Sequence, residues 1–258
     1  MDMIEYLAAH FAHDPDFLAD IHASTGGLPS TLHSYEYMMG SVERPPAQVV
    51  DRLQRMAAIS DCRWIGEHIG MVGTADTYAG TFLQPFGTDE QTEQFIVNLR
   101  AAAATSVTPF IVENQPQVFA QIGPRGVCRQ VADVATGADC GILLSLSNII
   151  ISDSFFGMDR EKEIAAIPLD RVWQIHLPVP SASELGDPGL ARLRDDTRWA
   201  YATLEQLAAE PDFRPAAIIL EVQAAGTPSR ATPEEIKDRL IWAREMMQVK
   251  EPAVGGLR

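Results

Sequence analysis

Short apolar runs of strand length recur along this chain, and each closes on a polar side chain. Leu32-His33, Ile65-Gly66-Glu67-His68, Phe110-Ile111-Val112-Glu113-Asn114, the run over 141–151 with its Asn148, Val172-Trp173-Gln174-Ile175-His176 and Ile218-Ile219-Leu220-Glu221 all have this form. Strands buried on both faces read as nearly continuous hydrophobic runs, and parallel barrel strands bring their C-terminal ends to one common face. Between these runs the apolar spacing becomes helical. Asp14-Pro15 opens a helix through Phe17, Leu18 and Ile21 that ends at Gly26-Gly27. Pro45-Pro46 opens a second through Val49, Val50, Leu53 and Met56, and Asp89 a third through Phe95, Ile96 and Leu99. Further helices are predicted over 126–135, 159–167 and 190–207 and from Pro233 onward. Ile4-Glu5-Tyr6-Leu7 reads equally as a short strand or as the first turn of a helix.

Strands alternating with helices predict one α/β domain over residues 1–258, a TIM-type (β/α) barrel. A generous count gives seven strands, so the expected barrel is seven-stranded or incompletely closed. Two connections, 70–87 and 178–189, lack periodicity and read as long loops, a length that favours lids over simple wiring. The tail from Glu251 is expected to fray. No repeat, low-complexity tract or interdomain linker interrupts the pattern.

Composition narrows the partners. The net charge is −15 and there are only three lysines, Lys162, Lys237 and Lys250. Such a surface repels phosphate backbones and anionic lipid, which argues against nucleic acid and membrane as partners. The N-terminus lacks a basic signal-peptide region, and no apolar run approaches the ~18 residues of a membrane span. Cys62, Cys128 and Cys140 are scattered and form no CxxC, so reduced, structural thiols and a cytoplasmic location are expected.

The strand ends carry the candidate chemistry. His33, His68, Glu113, Asn148, His176 and Glu221 each sit near the C-terminal end of a separate run, where a barrel would gather them. Imidazole nitrogen mixed with carboxylate oxygen suits iron, manganese or zinc, and iron is natural where open positions remain. A glutamate can bridge two ions with its two oxygens. Each residue alone has a plainer reading: a histidine ending an apolar strand is often a hydrogen-bonded core residue, a strand-end glutamate often pairs with arginine, and Asn148 could cap the following turn. Joint occurrence at matching positions favours the metal. His10, His13 and His22 read as surface or packing residues. Glu67 points to the opposite face of its strand and reads as a salt-bridge or supporting group.

The order of these segments resembles the multinuclear non-haem iron-dependent oxidases, the DUF692 family that includes methanobactin and thiaglutamate maturation enzymes. Leu32-His33 with Gly40-Ser41 resembles its LHG…GS segment, and Gly66-Glu67-His68-Ile69 its SDHL motif. Val112-Glu113-Asn114-Gln115-Pro116 resembles ENP, and 140–148 resembles CGLLLDVNN. Gln174-Ile175-His176-Leu177 resembles EIHLAG, and Ile219-Leu220-Glu221 resembles LLEWD. There are departures. Ser145 and Ser147 stand where the family has aspartate and asparagine, Gln223 replaces a second carboxylate, and the opening glycine-rich strand is missing. The D-x-H pair is missing too, its region holding Asp187-Pro188-Gly189 or Asp196-Thr197-Arg198.

The resemblance implies an oxidase that uses Fe2+/Fe3+ and O2 to modify a cysteine-containing precursor peptide or related small thiol, with a small leader-binding partner protein. Two iron ions are then expected, one held by His33, His68 and Glu113 and the other by Glu113, Asn148, His176 and Glu221. Glu113 and His176 are the catalytic candidates. Two alternatives stay open: a divalent-metal sugar isomerase or hydrolase barrel, and a metal-poor scaffold relative. No lysine sits at a strand end to serve an isomerase.

Overall fold

The computed structural model describes residues 2–73, 77–224, 227–228 and 230–248. Seven parallel strands follow one another in chain order: β1 (Ile4–Leu7), β2 (Ser30–Ser34), β3 (Cys62–His68), β4 (Phe110–Glu113), β5 (Gly141–Ser145), β6 (Val172–Pro178) and β7 (Ala217–Glu221). Each pairs with the next, and they form a nearly closed barrel in which β1 and β7 are the two unpaired edges among the described residues. Side chains bridge that seam instead, through Glu5 to His176 and Asp2 to Arg244. The ambiguous Ile4–Leu7 segment is therefore a strand.

Alternation sorts the strand residues. Tyr6, Leu32, Ile65, Val112, Ile142, Leu144, Ile175 and Leu177 pack outward against the helices in the main core. A smaller inner cluster of Trp64, Ile111, Leu143 and Ala217, with Trp173 against it, fills the N-terminal end of the barrel. The strand ends above this plug are left to polar side chains.

The helices are α1 (Pro15–Ser24), α2 (Ala47–Ile59), α3 (Asp89–Ala103), α4 (Val127–Ala138), α5 (Leu146–Phe156), α6 (Arg160–Ala165), α7 (Ala182–Gly186), α8 (Ala191–Ala209) and α9 (Pro233–Gln248). Asp14 caps α1 by accepting from Phe17 N at 3.1 Å, and Thr88 caps α3. None of the helices among the described residues is long and apolar enough to cross a membrane.

Three expectations are corrected. The apolar run over 141–151 is not one strand: β5 stops at Ser145 and α5 begins at Leu146. Ser145 Oγ accepts from Asn148 N at 3.2 Å, a side-chain cap, while Asn114 clamps the Ser145 backbone with bonds of 2.8 and 2.9 Å. A short apolar run does not by itself separate strand from buried helix, and here the cap decides. The 70–87 connection contains an antiparallel pair, Met71–Gly73 with Tyr78–Leu83. The 178–189 connection contains α7, started by a capping box between Ser181 and Glu184, and a 3-10 turn at Pro188–Leu190. The tail from Glu251 lies outside the described residues.

Candidate metal centre

Register brings the polar strand ends to the C-terminal mouth of the barrel. Neighbouring positions in the sheet pair His33 with Gly66, His68 with Glu113, Ser145 with His176, and Pro178 with Glu221. Gly66 matters because a Cβ there would lie 2.9 Å from His33 Nδ1. The absent side chain is what leaves room for that imidazole.

Glu113 is the hub, and it is 1% exposed. Its Oε2 lies 3.0 Å from His33 Nε2 and 3.0 Å from His68 Nδ1. Its Oε1 lies 3.4 Å from His176 Nδ1 and accepts from Asn148 Nδ2 at 3.0 Å. His33 Nε2 and His68 Nε2 approach to 2.9 Å. His176 Nδ1 is also 3.3 Å from Glu221 Oε1. Ligand atoms of His33, His68 and Glu113 all fall within 4.8 Å of one another, a spacing that could hold a metal ion.

The hydrogen bonding of these groups tests that fit. Buried polar atoms are almost always hydrogen-bonded. Yet Glu113 Oε2, His176 Nδ1 and Glu221 Oε2 make no hydrogen bond of ordinary geometry among the described residues, although their neighbours are close. Lone pairs gathered at near-contact distance, without protons aligned between them, suit a bound cation.

Electrostatics points the same way. Burial alone would raise the Glu113 carboxyl; the His68 and His33 charges, with His176 close by, overcome it and hold the group well below its ordinary range. Burial lowers both touching imidazoles, but Glu113 and Glu5 carry His33 above its usual value, whereas His68 ends below its own. Burial also opposes charge on His176, and the surrounding Glu5 and Glu221 nevertheless raise it well above normal. A cation entering here takes the place of protons.

Five of the six candidates, His33, His68, Glu113, His176 and Glu221, lie at strand ends as expected. Asn148 does not: it stands in the first turn of α5, from where its amide donates to Glu113 and, at 2.9 Å, to Asn114 O. The candidates for the lost D-x-H positions are engaged elsewhere, Asp187 capping the 3-10 turn and Asp196 paired with Arg160 in the helical layer. Glu67 does face away from the mouth. It is 0% exposed, accepts from Tyr37 N at 3.2 Å, and has no cation within ion-pair distance among the described residues. Burial raises its carboxyl well above the ordinary value, a supporting hydrogen-bond role rather than a salt bridge.

Sequence reasoning missed Glu5 and Gln174. Glu5 Oε1 lies 2.9 Å from His176 Nε2, and Gln174 Nε2 lies 2.5 Å from Glu5 Oε2 and 2.9 Å from His176 Nε2. The signal was present: Ile4 and Tyr6 are the outward positions of an alternating run, and Glu5 is a charge on its inner face. Burial pushes the Glu5 carboxyl up, but His176 and His33 together with hydrogen bonds from His176 and Gln174 bring it down to about 2.

A family profile described as RiPP precursor modification enzyme MbnB/TglH/ChrH matches residues 1–185. A UPF0276 protein of Caulobacter vibrioides is 27% identical over 151 residues, 58% of this chain and 54% of that relative. A UPF0276 protein of Anaeromyxobacter sp. is 25% identical over 179 residues, 69% of this chain and 63% of that relative. The chain thus matches somewhat more than half the length of these curated relatives. Among solved structures, a D-psicose 3-epimerase from Clostridium cellulolyticum H10 is 13% identical with a TM-score of 0.58, covering 96% of this chain and 89% of that one. A xylose isomerase domain-containing protein from Salmonella typhimurium is 16% identical with a TM-score of 0.58, covering 96% and 88%. At such identity the likeness is one of fold.

Proposed function

We propose, from the premise that the chain belongs to the MbnB/TglH/ChrH family of RiPP precursor modification enzymes, that it is an iron-dependent oxidase acting on a cysteine-containing peptide or related small thiol. The observation that carries this reading is the set of buried, unbonded lone pairs of Glu113, His176 and Glu221 at the barrel mouth. His33, His68 and Glu113 would hold one ion, and Glu113, His176 and Glu221 a second, with Glu113 between them. Asn148 steadies the shared carboxylate through its amide. Bound iron would supply one-electron chemistry with O2 and an open position for a thiolate.

The residues around the site do the rest. The hairpin of Met71–Gly73 with Tyr78–Leu83 and the α7 segment belong to the two connections that would border the substrate entrance and exclude water. The precursor would enter as an extended peptide, brought by a small leader-binding partner protein, in a cytoplasmic setting that keeps its thiols reduced. One domain over 1–258 would suffice for the site itself.

The test is anaerobic loading with ferrous iron, metal counting and Mössbauer spectroscopy, followed by oxygen uptake with a cysteine-containing peptide. Two neighbouring redox-active irons and peptide-dependent uptake are the expected result. A single redox-silent ion would move the reading to an isomerase or hydrolase. No stoichiometric metal would leave a scaffold, the second reading, which the redeployment of Asp187 and Asp196 favours.

A further inference from the structure

Behind His176, on the side away from Glu113, lies a polar network inside the barrel that the metal reading does not use. Glu5 comes from β1, across the unpaired seam, and Gln174 from the same strand as His176. Trp64 Nε1 donates to Gln174 Oε1 at 2.7 Å. Because an indole N–H can only donate, this bond settles which end of the Gln174 amide faces where. Its Nε2 must then face Glu5 and His176, and it donates to Glu5 Oε2 at 2.5 Å. Thr31 Oγ1 donates to the same oxygen at 3.3 Å.

That leaves Glu5 Oε1 against His176 Nε2 at 2.9 Å. A bare nitrogen lone pair facing a carboxylate oxygen at this distance would be repulsive, so a proton stands between them. Gln174 cannot accept that proton, since its oxygen is turned to Trp64, and a bond from its Nε2 to His176 Nε2 at 2.9 Å would need that nitrogen bare against Glu5 Oε1. Glu5 can. With Nε2 donating to Glu5, the ring turns Nδ1 toward Glu113 Oε1 and Glu221 Oε1, 3.4 and 3.3 Å away. Histidines that hold metals characteristically donate their other ring N–H to a carboxylate or carbonyl, which fixes tautomer and orientation.

We infer that Glu5 is a positioning residue: its carboxylate, locked by Gln174, Trp64 and Thr31, accepts the Nε2 proton of His176 and aims Nδ1 at the second ion position. The inference rests on the two-position reading above and assigns to the short first strand a role in the site.

Two measurements test it. In the metal-free protein, 15N–1H correlation of the histidine rings, with His176 assigned by His176→Gln, should show a slowly exchanging Nε2 proton that Glu5→Leu abolishes. Glu5→Leu keeps the bulk and removes the acceptor. Titration with Co2+, followed by its d–d absorption, should show two equivalents in the wild type. In Glu5→Leu the first equivalent should bind unchanged and the second about 10–100-fold more weakly. Glu5→Leu/Gln174→Glu should restore the second, because position 174 already reaches to 2.9 Å from His176 Nε2 and its new carboxylate can take over. A general structural role for Glu5 would not be rescued this way. Unchanged binding of both ions in Glu5→Leu, or no rescue by the double variant, overturns the inference. If the wild type takes fewer than two Co2+, the two-position reading fails, and the ring spectrum still decides about Glu5: a wild-type His176 with no protected Nε2 proton overturns it.

Discussion

The two sides of the barrel mouth are built differently although they share Glu113. On the β2–β3 side, His33 and His68 touch each other and Glu113 Oε2, and His33 Nδ1 has no hydrogen-bond partner among the described residues. The Nδ1 side of that ring is held by shape, in space left by Gly66. On the β6–β7 side, His176 is held from behind by Glu5, which Gln174 fixes in turn, and two carboxylates face its Nδ1. A donor held by packing is sensitive to volume, and one held by a network is sensitive to the removal of a proton acceptor. The two sides should therefore fail independently.

The largest effect comes from the group they share. Glu113→Leu removes the charge and both carboxylate oxygens, one from each position, and should lower the affinity of each ion by more than the 10–100-fold typical of outer partners. Equilibrium dialysis with metal analysis should find both positions depleted; retention of one would show that Glu113 does not serve both. Next come substitutions that separate the sides. Gly66→Ala should weaken the His33 side by about tenfold or more by displacing that ring, and Glu221→Gln should weaken only the His176 side. Anomalous scattering from bound metal in crystals of the two variants distinguishes the positions directly.

Acidity offers a third handle. His33 and His176 have raised values in the metal-free protein, so their charged forms contribute stability that is complete below the unfolded histidine value and is lost as pH rises through the folded one. Glu5, at about 2, contributes stability present above the unfolded value of 4.5 and lost as pH falls toward 2. Metal binding must displace the histidine protons, so affinity should rise with pH and binding should release protons. Calorimetry in two buffers of different ionisation heat measures that release. The smallest effect lies on the outer face of β3. Glu67 has a raised value, so its neutral form favours folding below 4.5 and that contribution falls away as pH rises through the folded value. Glu67→Gln should stabilise the protein by about 1 kcal/mol at neutral pH and flatten that pH dependence, read by urea unfolding.

Much of this was legible in the chain. Apolar runs of strand length that close on a polar residue, as at Leu32-His33, Val112-Glu113 and Ile175-His176, are legible as buried strands, and parallel strands put such ends together. Asn148 was misplaced because Ile149–Ile151 is apolar enough for either a strand or a buried helix, and a serine at 145 does not declare itself a cap until the chain turns there. The Ser181–Glu184 capping box was likewise readable and overlooked. Glu5 escaped because a four-residue run has too little periodicity to declare itself a strand.

Local pattern was enough to determine which residue types line the mouth, since burial and alternation are properties of a few neighbouring positions. It could not determine which nitrogen of His176 faces a metal. That follows from a carboxylate brought across the seam to meet Gln174, 169 positions away in the chain. Such a contact depends on strand register and on how nearly the barrel closes, and those are set by the packing of all the elements together.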